Sequence, residues 1–229
     1  MAHAPENTAL SLVTAEELGV DEIEIDVRVS ADGVAVISHD DDLSRVLGVV
    51  GVEVAPTVSQ SRWRDLQSLR LPRGQRLLTL REALELTRRD LQIELKAPGA
   101  AKVTAEVLGD YPDERPRCVI TSFEVAFLAK ARELMPAVPR GLISGTYDPT
   151  VAARAAAVDA GWIYSGWNGL TPALVEELHG RGVKIGAWPV RCAGDAELAW
   201  RLGVDEITAD APGAAREWIE AAAADQESG

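Results

Sequence analysis

The sequence predicts an α/β barrel, a protein in which parallel strands and helices alternate along the chain. Short runs rich in Val, Ile and Leu alternate with segments of helical periodicity, and the alternation continues without a linker. One domain is therefore predicted over residues 1–229, with 217–229 as the end of the C-terminal helix and a tail. The composition, 47% apolar and 26% charged, is typical of a globular protein.

Eight segments have the apolar spacing of an amphipathic helix, and several have recognisable caps. Thr79 and Glu82 form a T-x-x-E capping box, while Asp148 and Thr171 each precede a proline at the first helical position. The predicted helices are Thr8–Leu18, Thr79–Arg89, Ala100–Gly109, Phe123–Leu134, Pro149–Ala160, Pro172–Gly180, Asp195–Leu202 and Gly213–Ala224.

Seven runs between these helices have the composition of buried strands. A further run, Val34–Ser38, follows the first strand across Ala31-Asp32-Gly33, and this short turn predicts a β-hairpin excursion rather than a barrel unit. The seven strands are Glu22–Arg28, Leu91–Lys96, Arg117–Thr121, Arg140–Ile143, Gly161–Ser165, Val183–Trp188 and Glu206–Asp210.

The strand count differs from that of a complete barrel. A TIM-type (β/α)₈ barrel has eight helix-separated strands and opens with a strand, whereas this chain has seven and opens with a helix. The sequence therefore predicts a TIM-type barrel that lacks its first strand.

The charge balance narrows the range of partners. Lys and Arg number 23 against 36 Asp and Glu, and the net charge of −13 argues against binding to nucleic acid or anionic membranes. No apolar run is long enough to insert stably in a membrane. Two cysteines give no disulfide framework, and the first residues lack the pattern of a signal peptide, so a cytoplasmic location is expected.

Acidic residues share one face of the first predicted strand and recur on the next barrel strand. Side chains alternate along a strand, so Glu24 and Asp26 lie on one face, as do Glu94 and Lys96. In a barrel covered by helices the charged face points inward, where three carboxylates offer hard oxygen ligands to Mg²⁺ or Ca²⁺. Lys96 supplies positive charge for a phosphate. A solvated strand face and an exposed Glu94–Lys96 pair remain alternatives.

His39 is a candidate general acid or base. It ends the hairpin strand, in Ser38-His39-Asp40, and so lies close in the chain to the end of the strand that carries Glu24 and Asp26. The alternative is a solvated loop histidine.

Motifs along most of the chain resemble those of the glycerophosphodiester phosphodiesterase family, which belongs to the phospholipase C-like phosphodiesterase barrels. Any single motif is weak, but their order from residue 5 to about residue 212 is specific. The matching segments are Pro5–Thr8, Gly19–Asp26, Asp32-Gly33, His39-Asp40, Leu43–Arg45, Leu78–Leu84, Glu94–Lys96, Ser122-Phe123 and Trp188.

The resemblance implies a phosphoric diester hydrolase that converts small-molecule glycerophosphodiesters to sn-glycerol 3-phosphate and an alcohol. It implies that Glu24, Asp26 and Glu94 hold the divalent metal, that Lys96 contacts phosphate and that Trp188 lines the pocket. His39 is implied as one of two acid/base histidines.

Two departures from the family pattern bear on activity. Family members carry H-R-G before P-E-N-T, whereas only Met1–Ala4 precede Pro5 here, and Arg191 replaces the asparagine of W-x-x-N. The missing histidine predicts a slowed enzyme. Two alternatives stay open: a non-catalytic barrel that binds metal or phosphate, and a phosphodiester lyase similar to sphingomyelinase D.

Overall fold

A computed structural model describes residues 3–48 and 55–227 of the chain, and these residues form an α/β fold. They divide into two compact units. The first comprises His3–Ser122, apart from the undescribed residues, together with Ala126–Val138, and the second comprises Phe123–Val125 and the chain from Pro139 onward.

The helices follow the sequence pattern closely. Those of nine residues or more, together with α4, correspond to predicted segments, while the two four-residue helices were not predicted. The bounds are α1 Ala9–Glu17, α2 Ser44–Leu47, α3 Trp63–Leu66, α4 Leu80–Leu86, α5 Ala100–Asp110, α6 Val125–Leu134, α7 Pro149–Ala157, α8 Pro172–Gly180, α9 Ala193–Leu202 and α10 Pro212–Glu227.

The strands are short and mostly buried. Two 3₁₀ turns, Pro72–Gly74 and Pro112–Arg117, accompany them. The bounds are β1 Glu22–Val29, β2 Ala35–Ile37, β3 Leu78–Thr79, β4 Asp90–Leu95, β5 Cys118–Ser122, β6 Arg140–Ser144, β7 Trp162–Ser165, β8 Lys184–Ala187 and β9 Glu206–Ile207.

The first unit contains a mixed sheet with the strand order β3-β2-β1-β4-β5. Strands β1, β4 and β5 are parallel, whereas β2 is antiparallel to both β1 and β3. Val29 pairs with Ala35 across a turn in which Gly33 has a φ of 83°, a conformation that glycine adopts without strain. The predicted hairpin excursion is therefore confirmed.

The second unit contains the parallel strands β6-β7-β8-β9, in that order. Parallel strands joined by helices bury both faces of the sheet, and the interior positions of β7 and β8 are fully buried. Gly186 permits close packing in β8, because a Cβ at this position would lie 2.4 Å from the ring of Tyr164.

The predicted caps are confirmed. Thr79 and Glu82 bond reciprocally at the start of α4, and the side chains of Asp148 and Thr171 accept from the first turns of α7 and α8. Helix α4 ends at Leu86, three residues before the predicted Arg89, because the chain is already extended at Thr87.

Other details differ from the sequence prediction or lie beyond it. The two-residue strand β3 was not predicted, and α10 continues to Glu227, beyond the predicted Ala224. Residues 228–229 of the predicted tail lie outside the described residues. The single domain and the missing first strand stay predictions. Across the described ranges, no helix combines the length and the apolar character needed to cross a membrane.

Candidate metal and phosphate site

Strands β1 and β4 bring acidic side chains together by their register. They are parallel neighbours, and Asp26 pairs directly with Glu94. Glu24 lies two residues before Asp26 and therefore projects to the same side of β1. The opposite side carries Ile25 and Val27, both fully buried in the core. One face of β1 thus packs into the hydrophobic core, and the other face carries the carboxylates.

The three carboxylates form a compact cluster. Glu24, Asp26 and Glu94 each present an oxygen, and these oxygens all lie within 4.8 Å of one another. Asp26 is only 3% exposed and Glu94 only 7% exposed. The two alternatives of a solvated strand face and an exposed Glu94–Lys96 pair are therefore wrong, since the barrel strands bury these groups.

Lys96 places a positively charged ammonium group beside this cluster. Its Nζ lies 2.9 Å from Oε1 of Glu94 and 3.3 Å from Oδ1 of Asp26, and its backbone N–H donates to Val27 beyond the end of β4. Burial lowers the pKa of Lys96, but the charges of Asp26 and Glu94 outweigh this effect and raise it overall. One ammonium against three carboxylates leaves an excess of negative charge when all are ionised.

The excess charge is visible in the pKa values of the glutamates. Burial, together with the charges of Asp26 and Glu94, raises the pKa of Glu24 well above its ordinary value. Burial also raises the pKa of Glu94, although Lys96 partly offsets it. Oε1 of Glu24 and Oδ1 of Asp26 are buried, and within the described part of the chain neither accepts a hydrogen bond. A hard divalent cation fits such a set of oxygens.

Replacing Glu24 by glutamine is expected to raise the melting temperature of the protein in EDTA at pH 8. Because the folded pKa of Glu24 lies above its unfolded value, the folded state binds the proton more tightly, and stability falls as pH rises through this range. Glutamine removes the charge, and each kcal/mol relieved corresponds to about 2–4 °C. Thermal denaturation followed by circular dichroism measures the change.

Two controls define this stability experiment. Glu22→Gln on the same strand changes a glutamate outside the cluster and is expected to have a smaller effect. At pH 3, below the ordinary pKa of a glutamate, Glu24 is protonated in both states, and the melting temperatures of the glutamine variant and the unsubstituted chain are expected to converge. A lower melting temperature for Glu24→Gln at pH 8 would contradict the assigned charge repulsion.

His39 follows β2 and takes part in a chain of ion pairs. Its Nδ1 lies 2.7 Å from Oδ1 of Asp40, and Oδ2 of Asp40 accepts from Nε of Arg45 at 2.6 Å. The guanidinium of Arg45 also binds both oxygens of Glu6, at 2.5 and 2.8 Å. Partial burial raises the pKa of Asp40, but the hydrogen bonds from His39 and Arg45 outweigh it, and the net shift is downward.

This arrangement suits an acid/base group. When Nδ1–H donates to Asp40, Nε2 is the nitrogen that can accept or deliver a proton. Arg28, at the end of β1, donates from Nε to the backbone carbonyl of His39 at 2.9 Å. The charge of His39 contributes to the pKa of Glu94, so the imidazole lies within electrostatic range of the cluster.

Sequence reasoning gave no role to several residues that hold these groups. Asn7 bonds to Asp26, and Arg45 connects Glu6 to Asp40. Both lie in motifs that carried the family resemblance, P-E-N-T and L-S-R, and this was the available signal. Their contacts join loops to strands and leave no periodic pattern.

Trp188 lies in the second unit. It directly follows β8, which ends at Ala187 and not at Trp188 as predicted. It is half-buried, and its ring meets Phe123 edge-on with centroids 5.9 Å apart. Its Nε1 is buried and makes no hydrogen bond to the described residues. The lining role of Trp188 stays a prediction.

Comparison with known proteins identifies the family. A profile described as the glycerophosphoryl diester phosphodiesterase family matches residues 1–214. The chain belongs to this family. A glycerophosphodiester phosphodiesterase from Caldanaerobacter subterraneus subsp. tengcongensis is 30% identical over 222 residues, covering 92% of this chain and 90% of that protein. The predicted enzyme class, a phosphoric diester hydrolase, is thereby confirmed at the level of the family.

Solved structures share the fold. An Oleispira antarctica phosphodiesterase in complex with the product sn-glycerol-3-phosphate has a TM-score of 0.86 at 25% identity, covering 96% of this chain and 93% of its own. A glycerophosphodiester phosphodiesterase from Parabacteroides distasonis has a TM-score of 0.81 at 23% identity, covering 96% and 92%. The predicted TIM-type barrel fold is confirmed by these likenesses.

Proposed function

We propose that this chain hydrolyses glycerophosphodiesters to sn-glycerol 3-phosphate and an alcohol, using a divalent cation. The observation that carries the proposal is the cluster of Glu24, Asp26 and Glu94, two of them buried and one partly buried, found in a chain that belongs to a phosphodiesterase family. The Oleispira structure in complex with sn-glycerol-3-phosphate supports a glycerophosphodiester as the substrate class.

The three carboxylates are proposed as the metal ligands, and Mg²⁺ or Ca²⁺ fits their all-oxygen chemistry. When bound, the cation supplies Lewis-acid polarisation of a phosphoryl oxygen. Lys96 remains protonated beside Asp26 and Glu94, so its ammonium is available to a second phosphate oxygen. The half-buried ring of Trp188 is proposed to pack against the substrate.

His39 is proposed to move the proton. Asp40 fixes the orientation of the imidazole through Nδ1, while Nε2 transfers a proton to or from the reacting oxygen. The H-R-G tripeptide that supplies a second histidine in the family is not among the 229 residues. We therefore propose that the chain of this length turns over slowly, because one acid/base group is worth about 10²- to 10⁴-fold in rate.

The test is an assay of the purified chain, stripped of metal with EDTA, on glycerophosphocholine and glycerophosphoethanolamine. Release of sn-glycerol 3-phosphate, followed by a coupled dehydrogenase, is expected with Mg²⁺ or Ca²⁺ and not with EDTA alone. A version preceded by a strand that carries H-R-G is expected to be faster by about 10²- to 10⁴-fold.

The outcomes separate the alternatives. Metal binding without turnover by either version would favour a binding module, and a cyclic phosphate product would favour a lyase. The cytoplasmic location and the absence of nucleic-acid partners stay predictions.

A further inference from the structure

Asn7 has an unusual backbone and is held firmly. Its φ is 53°, in the left-handed region that asparagine tolerates better than most residues. The next residue, Thr8, is fully buried and caps α1 through reciprocal hydrogen bonds with Ser11. The cap fixes the backbone at the start of α1, so the side chain of Asn7 projects from a rigid support.

Both polar groups of the Asn7 side chain bind one residue, Asp26, which lies 19 positions further along the chain. Nδ2 donates to Oδ2 of Asp26 at 2.8 Å, and Oδ1 accepts from the backbone N–H of Asp26 at 3.3 Å. A single amide therefore holds both the main chain and the carboxylate of this residue. Rotation of the Asp26 carboxylate would break the stronger of these two bonds.

This contact distinguishes the two oxygens of Asp26. Oδ2 is engaged by Asn7, whereas Oδ1 is buried, accepts no hydrogen bond within the described residues and faces the ammonium of Lys96 at 3.3 Å. Oδ1 is therefore the oxygen that remains for a cation. Partners of this kind orient the ligands of metal sites and commonly change metal affinity by about 10- to 100-fold when removed.

We infer that Asn7 is a positioning residue that directs Oδ1 of Asp26 toward the metal, an inference that rests on the proposed function. Asn7 does not touch the cation itself. It raises affinity by holding the carboxylate in the binding orientation before the cation arrives, which reduces the ordering that binding requires.

The test replaces Asn7 with glycine, which removes the amide and adopts the left-handed backbone without strain. Isothermal titration calorimetry of EDTA-stripped protein is expected to show about 10- to 100-fold weaker binding of Mg²⁺ or Ca²⁺. The melting temperature without metal is expected to fall by a few degrees, because a buried oxygen of Asp26 loses its hydrogen-bond donor. Turnover is nevertheless expected to recover when the metal concentration is raised. A merely structural role would not produce recovery by excess metal.

Two further variants make the outcome decisive. Asn168→Gly removes another asparagine side chain, from an exposed loop position, and is expected to leave metal affinity unchanged. Asn7→Ser keeps a polar side chain too short to span both contacts, and it repeats the test should the glycine variant fail to fold.

Different results would contradict the inference about Asn7 and the proposed function. Unchanged metal affinity in both folded Asn7 variants, with loss in Asp26→Ala, would overturn the role of Asn7 and leave the metal site intact. Absence of metal binding by the unsubstituted chain would instead overturn the proposed function.

Discussion

Alanine at Glu24, Asp26 or Glu94 is expected to weaken binding of Mg²⁺ or Ca²⁺ by more than about 100-fold and to abolish turnover. Loss of a direct ligand should exceed the 10- to 100-fold cost of losing an outer partner. Each variant also removes one of three carboxylates whose oxygens lie within 4.8 Å of one another. Calorimetry on metal-free protein measures the affinity. It is done at pH 8 because the pKa values of Glu24 and Glu94 are raised, and these carboxyl groups are ionised to a greater extent there than at neutral pH.

Glu22→Ala is the matched control, because Glu22 is a half-buried acid on the same strand and the same face but outside the cluster. It is expected to retain metal binding. Unchanged affinity in all three cluster variants would defeat the metal assignment. Equal loss in Glu22→Ala would show that the affinity reflects the general acidity of the strand and not a built site.

Replacing His39 with glutamine is expected to lower kcat by about 10²- to 10⁴-fold and to leave metal affinity unchanged. The imidazole side chain is 51% exposed, so its loss removes little buried surface and the fold should persist. Steady-state kinetics at saturating metal measures kcat, and calorimetry on the same protein measures the affinity.

His179 offers a matched control for this experiment. It also forms an imidazole–carboxylate pair, with Nε2 2.8 Å from Oδ2 of Asp205, and its side chain is 39% exposed. His179→Gln is expected to keep full turnover. If both histidine variants lost activity alike, the effect would be structural, and a normal kcat for the His39 variant would remove it from the mechanism.

The cluster on β1 could be predicted because strand alternation is a strict geometric rule. Once Glu22–Val29 is a strand, Glu24 and Asp26 must share a face. Their pairing with Glu94 required the register of β1 against β4, and about sixty residues of hairpin, loops and helix separate the two strands. The sequence indicated that Glu94 ends a neighbouring strand, but only the fold places it beside Asp26.

The residues that hold the site were harder to predict. Asn7 lies in the P-E-N-T motif, which indicated the family but not the contact with Asp26, and its left-handed backbone has no signature in one sequence. The two-residue strand β3 is too short to show alternation. The ion pairs through Arg45 join separate loops, whose approach depends on the packing of the hairpin region around Leu43 and Val58.

Glu6 and Asn7 are adjacent in the chain, and each contacts a residue that holds or forms part of the proposed site. Glu6 holds the guanidinium that steadies the His39–Asp40 pair, and Asn7 holds the carboxylate of Asp26. Two neighbouring side chains outside the sheet thus support both the proposed proton-transfer group and the proposed cation site. Local opening of this short segment would release both contacts together while the strands remained folded, so retention of activity on heating is expected to depend on residues 6 and 7 as well as on the core of the sheet.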